Sequence, residues 1–261
     1  MEITFYKYQG TGNDFVVIDN RDLSFPRENK NLVSFLCNRR FGIGADGLML
    51  LNPSNSSDFT MVYYNADGSE STMCGNGGRC LVAFAHLLGL FEEETTFDAI
   101  DGLHYASYKN GITNLQMIDV DDVEVYKDHC FLNTGSPHHV QLIENIEAYD
   151  VKSNGSKIRY GAPYFKVGTN VNFVEPLDNN KFRVRTYERG VEAETLACGT
   201  GVTAVAIAMY EQKKTTQTTI PLQVEGGELE VSFEPTENGY QNIFLKGPAT
   251  FVFKGNIIYY E

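Results

Sequence analysis

Tryptophan is absent from the 261-residue chain, so 17 Phe and 15 Tyr must supply the aromatic bulk of any core. Positive charge is scarce. Lys and Arg number 21 against 34 Asp and Glu, a formal net charge of −13. A protein that grips a phosphate backbone needs a basic footprint, so a nucleic-acid partner is not expected. An anionic membrane surface is disfavoured for the same reason. No long apolar run occurs: Leu81 to Phe91 is about half a membrane span and carries His86. The N-terminal residues lack the apolar core of a signal peptide, and we expect a cytoplasmic protein. Cys-x-x-Cys is also missing. The five cysteines, at 37, 74, 80, 130 and 198, are odd in number and widely spaced, which speaks against a disulfide framework and a ribbon-type zinc site. With 42% hydrophobic and 21% charged residues, the balance is that of an ordinary globular chain.

What is present is an internal repeat. Glu70-Ser71-Thr72-Met73-Cys74-Gly75-Asn76-Gly77 and Glu194-Thr195-Leu196-Ala197-Cys198-Gly199-Thr200-Gly201 share the pattern Glu-Ser/Thr-x-x-Cys-Gly-x-Gly. Position 198 lies 124 residues after 74. The same spacing brings Gly44-Ala45-Asp46 onto Gly168-Thr169-Asn170, and Asn65 onto Arg189. Several matches in register over half the chain indicate two copies of one structural unit.

Each half shows the same order of elements. Short segments rich in β-branched and aromatic residues come first: Ile3–Tyr8, Phe15–Asp19, Gly47–Leu51 and Phe59–Tyr64 in one half, His139–Ile143, Asn172–Glu175 and Phe182–Tyr187 in the other. Cys-Gly-x-Gly follows, then a run with helical character: Arg79–Leu88, stopped by Gly89, and Val202–Tyr210. Both runs are apolar nearly all round, which suits a helix enclosed on every side. Later strand signals lie at Leu222–Val224, Leu229–Phe233 and Ile243–Leu245, and a closing pair at Thr250–Phe253 and Ile257–Tyr260. The expectation is an α/β (α+β) protein of two pseudo-symmetric domains, each a curved, mostly antiparallel sheet around a central buried helix.

Cys74 and Cys198 each stand just ahead of such a helix. A helix start offers backbone N–H groups and partial positive charge, which lowers a thiol pKa and binds a carboxylate. Two thiols on opposite walls of one cleft would suit proton removal from a carbon next to a carboxylate, with a proton returned to the other face. Cys37, Cys80 and Cys130 lie outside the repeat and read as buried structural cysteines.

Gly10-Thr11-Gly12-Asn13-Asp14-Phe15, Asn65-Ala66-Asp67-Gly68-Ser69-Glu70, Cys74-Gly75-Asn76-Gly77 and Glu188-Arg189-Gly190 with Ala197-Cys198-Gly199-Thr200-Gly201 together resemble the diaminopimelate epimerase family over essentially the whole chain. The resemblance implies cofactor-independent interconversion of LL- and meso-2,6-diaminopimelate, on the route to lysine and peptidoglycan precursors, with no metal. It implies domains of 1–118 completed by 248–261, and 119–247. It assigns Cys74 and Cys198 as the acid–base pair, and Gly75, Asn76, Gly199 and Thr200 to the carboxylate of the reacting centre. Asn13, Asn65, Asn170, Glu188 and Arg189 fall on substrate-binding positions, and His138 and Glu188 on positions that tune the thiols. The partner implied is the small-molecule substrate, with room left for a homodimer. Three departures stand out: Ser136 where the family usually has Asn, Gly47 where some members have Gln, and a loop one residue longer between Arg189 and Cys198. The rival readings are a proline or hydroxyproline epimerase of the same fold and a non-catalytic amino-acid-binding homologue.

Overall fold

The computed structural model describes residues 1–71 and 73–260; Thr72 of the repeated motif and Glu261 lie outside the described residues. The chain divides into two compact units, Met1–Leu115 with Gly247–Glu261, and Gln116–Lys246. The junctions thus fall a little before 118 and 247. Residues 117–120 go with the second unit because Met117 N–H donates to Ile243 O and Val120 bridges Tyr240.

Among the described residues the first unit is a sheet of eight longer strands and one short one. Thr250–Ile258 pairs antiparallel with Glu2–Gly10, which forms a hairpin with Asn13–Asp19. Asn13–Asp19 runs parallel to Gly47–Asn52, which is antiparallel to Phe59–Asn65. Phe59–Asn65 is parallel to Glu94–Ala99, and Gly102–Lys109 and Ile112–Gln116 follow antiparallel. Helix α1, Lys30–Cys37, connects the first parallel pair; helix α2, Gly75–Leu87, packs inside the sheet.

The second unit repeats this pattern strand for strand. Val123–Val125, Cys130–Asn133 and Pro137–Leu142 are antiparallel neighbours, and Pro137–Leu142 runs parallel to Asn170–Pro176. Phe182–Glu188 pairs antiparallel with it and parallel with Thr219–Val224, and Gly227–Thr236 and Gly239–Pro248 close the sheet antiparallel. Helix α3, Val151–Tyr160, connects the parallel pair, and α4, Gly199–Glu211, is the enclosed helix. Even the short strands agree: Glu70–Ser71 pairs with the strand before it as Ala193–Thr195 does with its own.

The enclosed helices begin earlier than their apolar runs. Gly75-Asn76-Gly77-Gly78 is helical and buried, although glycine is a poor helix former. Close packing is the reason: a Cβ on Gly77 would stand 3.0 Å from Met49 Sδ, and one on Gly78 3.0 Å from Leu115 Cδ2. The expected closing pair of strands is instead one strand, Thr250–Ile258. Gly255 does not break it, because it lies opposite Phe5, whose ring occupies the place of a side chain; a Cβ would be 2.9 Å from Phe5 Cζ. Helices α1 and α3 and the strands between 94 and 116 stand outside the sequence expectation. Both helices carry a side-chain N-cap, Asn29 accepting from Leu32 N–H and Asp150 from Ser153 N–H. Among the described residues no helix is long and apolar enough to cross a membrane.

Candidate active site

In the first unit Cys74 is the N-cap residue of α2, with extended backbone (φ −109°, ψ 125°) and no side-chain capping bond. Its Sγ lies 3.9 Å from Asn13 Oδ1, which also accepts from Asn76 Nδ2 at 3.3 Å. Asn13 is held from its other side. Its Nδ2 donates to Asp46 Oδ2 at 2.6 Å, and Asp46 shares Arg39 with Asp14. Burial works against the Asp14 carboxylate, but Arg39 and Lys7 hold it down at about 2, so it stays charged. Lys7 Nζ also donates to Gly44 O. The Asn13 amide is therefore oriented, with its oxygen toward the thiol. Asn65 ends its strand and donates from Nδ2 to Ser69 Oγ at 3.4 Å. It stands opposite Gly47, and Gly47 opposite Phe15, so Asn65 and Asn13 share one end of the sheet. Nothing larger fits at Gly47, where a Cβ would come within 2.6 Å of Tyr63 Cε2.

In the second unit Cys198 is the N-cap residue of α4, again extended (φ −121°, ψ 111°) and without a side-chain cap. Its Sγ is 3.5 Å from Thr200 Oγ1, and Thr200 Oγ1 is 2.9 Å from His138 Nε2. Asn172 Nδ2 faces both His139 O and His138 Nδ1, at 3.1 Å each, and Asn172 Oδ1 accepts from Thr186 Oγ1 at 2.9 Å. A carbonyl accepts only, so the amide nitrogen must be the group that points at His138. That makes Nδ1 an acceptor and puts the ring proton on Nε2, where it is given to Thr200. The Thr200 hydroxyl hydrogen is then left for Cys198 Sγ. This chain of donors favours the thiolate.

His138 is fully buried, and burial together with nearby Arg189 lowers it to about 3; burial lowers His139 to about 4. Both rings are therefore neutral in the native state near pH 7. Unfolded histidine titrates near 6.5, so between 6.5 and the folded values the unfolded chain binds more protons. This stability is complete above about pH 6.5, is lost progressively as pH falls below it, and levels off below the folded values. At pH 5 the loss should be about 2 kcal/mol for each ring. We expect the urea midpoint to drop between pH 7.5 and 5 while the His138 ring resonances do not move. A His138 titration above pH 5 would contradict the buried neutral state.

Asn170 stands opposite His138 in the parallel pair. Its Oδ1 accepts from Arg189 N–H at 2.9 Å, and its Nδ2 donates to Pro137 O at 3.2 Å. Arg189 is half-buried and donates from Nη1 to Val167 O at 3.0 Å; no carboxylate among the described residues pairs with it. Glu188 Oε2 accepts from Thr195 Oγ1 at 3.0 Å. The longer loop after Arg189 is tied down by Glu192, which takes Arg159 Nε, Tyr187 OH and the Gly190 N–H.

The structure thus groups Cys74, Asn13 and Asn76 at the start of α2, and Cys198, Thr200, His138, Asn170 and Arg189 at the start of α4. Asn172, Thr186, Asp46 and Arg79 escaped the sequence reading as site residues. For Asn172 a signal existed: Asn170-Val171-Asn172 alternates on one strand, and asparagine is depleted in strands unless bonded. Cys37, Cys80 and Cys130 are buried free thiols. A cavity of about 450 Å³ beside Phe59–Asn65, lined among others by Arg27, Glu70 and Met73, contains none of the predicted site residues. Among the described residues no cluster of three or more His, Cys, Asp or Glu side chains is arranged to hold a metal ion.

The sequence pattern of the family described as "Diaminopimelate epimerase" matches residues 5–122 and 130–252. A protein named diaminopimelate epimerase from Flavobacterium psychrophilum is 58% identical over 253 residues, covering 97% of this chain and 99% of the relative. One of the same name from Aquifex aeolicus is 40% identical over 274 residues, covering 97% of each. Among solved structures, a phenazine biosynthesis protein of the PhzF family from Bacillus anthracis superposes with a TM-score of 0.78 at 15% identity, over 99% of this chain and all of that one. A probable proline racemase from Agrobacterium radiobacter reaches 0.68 at 16% identity, over 98% and 93%. At those identities the structural matches speak for the fold alone.

Proposed function

The chain belongs to the diaminopimelate epimerase family, and from that premise we propose that it interconverts LL- and meso-2,6-diaminopimelate by proton transfer between Cys74, Cys198 and one α-carbon. The observation that carries the reading is the repeated one: each unit places a cysteine as the uncapped N-cap residue of its enclosed helix. One thiolate takes the α-proton and the other thiol returns a proton to the opposite face, which inverts the centre. Negative charge develops on the carboxylate. Backbone N–H groups of the first turns, at Gly75 and Asn76 and at Gly199 and Thr200, are the donors suited to it. Asn13 and Asn65 bind substrate in the first unit, and Asn170, Glu188 and Arg189 in the second. His138 acts through Thr200 on Cys198, and Glu188 adjusts the charge around it.

Incubation with LL-diaminopimelate in heavy water tests this. Thiol protons exchange with solvent, so the proton delivered comes from water and the one removed goes elsewhere. At early times the meso product should carry one deuterium at the inverted α-carbon, and recovered LL substrate almost none. Transfer of an α-deuteron from labelled substrate intact into product would mean a single base and would remove the two-thiol scheme.

A further inference from the structure

Arg79 lies in the second turn of α2 and is fully buried. Its guanidinium makes four hydrogen bonds: Nη2 to Asn76 Oδ1 at 2.7 Å and Thr11 Oγ1 at 3.0 Å, Nη1 to Pro248 O at 3.1 Å, and Nε to Gly75 O at 3.4 Å. Every acceptor is neutral. The other well-buried arginines are handled differently, Arg159 pairing with Glu192, Arg183 with Glu147 and Glu225, and Arg185 with Glu194. Among the described residues Arg79 has no carboxylate. A buried charge is ordinarily paired, because desolvation penalises a lone one heavily.

The groups near Arg79 that can become anions are few. Cys80 is fully buried, and burial pushes its thiol up to about 12, so it stays neutral. Burial likewise raises the Tyr8 phenol on the strand packed against α2. Asp14 and Asp46, reached through Asn13, are committed to Lys7 and Arg39. Cys74 remains: it is only half-buried, it begins the same helix, and the Asn76 amide that Arg79 holds donates to the same Asn13 oxygen that faces its thiol. The repeat offers an internal comparison. At the position 124 residues on, α4 has Thr203, whose hydroxyl donates to Gly199 O just as Arg79 Nε donates to Gly75 O. The place in the helix and the bond to its first residue are shared; the charge belongs to the first unit.

We propose that Arg79 is a positioning residue whose buried positive charge has the Cys74 thiolate as its counter-ion, and which also clamps Asn76 beside that thiol. The proposal deepens the reading of Cys74 as acid and base, and rests on it for its catalytic meaning. Cys198 has a neutral donor, Thr200, in that part.

The test is alkylation with iodoacetamide from pH 5 to 9.5, with the Cys74 and Cys198 peptides quantified separately by mass spectrometry. Arg79→Met, which removes charge at similar bulk, should raise the Cys74 midpoint by about 1–3 units, the size of effect an adjacent opposite charge has. The Cys198 midpoint should not move. Arg79→Lys should restore most of the lowering, and Asn76→Ala, which keeps the charge, should retain it. An unchanged Cys74 midpoint in folded Arg79→Met overturns the proposal, as does an equal shift at both cysteines. If Arg79→Met does not fold, Arg79→Lys decides: a Cys74 midpoint as high as an ordinary thiol, about 8.5, overturns it. The outcome is separable from the catalytic reading, since turnover by Cys74→Ala would remove the catalytic role and leave the charge pairing to stand.

Discussion

Cys74→Ala and Cys198→Ala should each lose LL-to-meso interconversion by at least about 1,000-fold while remaining folded. A positioned acid or base contributes roughly 10²–10⁴-fold, and inversion needs one group to remove a proton and another to return it. Losing either member therefore stops the cycle rather than slowing one half of it. Folding should survive for a structural reason. Both cysteines are N-cap residues, yet neither side chain makes a capping bond, so alanine removes no cap from α2 or α4. Circular dichroism and thermal melting establish that the variants are folded; coupled detection of the meso product measures turnover. Near-parental turnover in either folded variant would dispose of the two-thiol scheme.

Arg189→Ala should lower kcat/KM for diaminopimelate by about 10- to 100-fold, which is about 1.4–2.7 kcal/mol of lost charge-assisted hydrogen bonding. Arg189 leaves the sheet directly after Phe182–Glu188, and its backbone is held by Asn170 Oδ1. Its guanidinium is half-buried and bonded to the neutral Val167 O, without an acid among the described residues, so capacity for a carboxylate remains. Distal binding energy also holds the α-carbon in place, so kcat should fall as well as affinity. Lysine and proline, which lack a distal carboxylate, should be poor substrates of the parent. Full kcat/KM in Arg189→Ala, or proline racemised as readily as diaminopimelate, would show that this residue does not read the far end of the substrate.

The sequence by itself determined the repeat, the two-unit plan and the place of Cys74 and Cys198 ahead of the enclosed helices, because each is written in local pattern. Alternating β-branched segments make strands, an apolar run of helical length makes an enclosed helix, and Cys-Gly-x-Gly recurs in register. Local pattern also misled where a neighbour overrides it. Thr250–Phe253 and Ile257–Tyr260 read as two strands until Phe5 is seen to fill the space beside Gly255 between them. The apolar pattern starts the helix at Arg79, yet it starts at Gly75, where Gly77 and Gly78 are kept free of side chains by Met49 and Leu115. What only the tertiary structure decided is how each thiol is surrounded. His138, Asn172, Thr186 and Thr200 come from three strands and a helix, and the direction of their hydrogen bonds depends on which amide atom of Asn172 meets His139 O. In the sequence Arg79 only opens an apolar run. Its meaning comes from complete burial among neutral acceptors, a property of everything packed around it and of no residue adjacent in the chain.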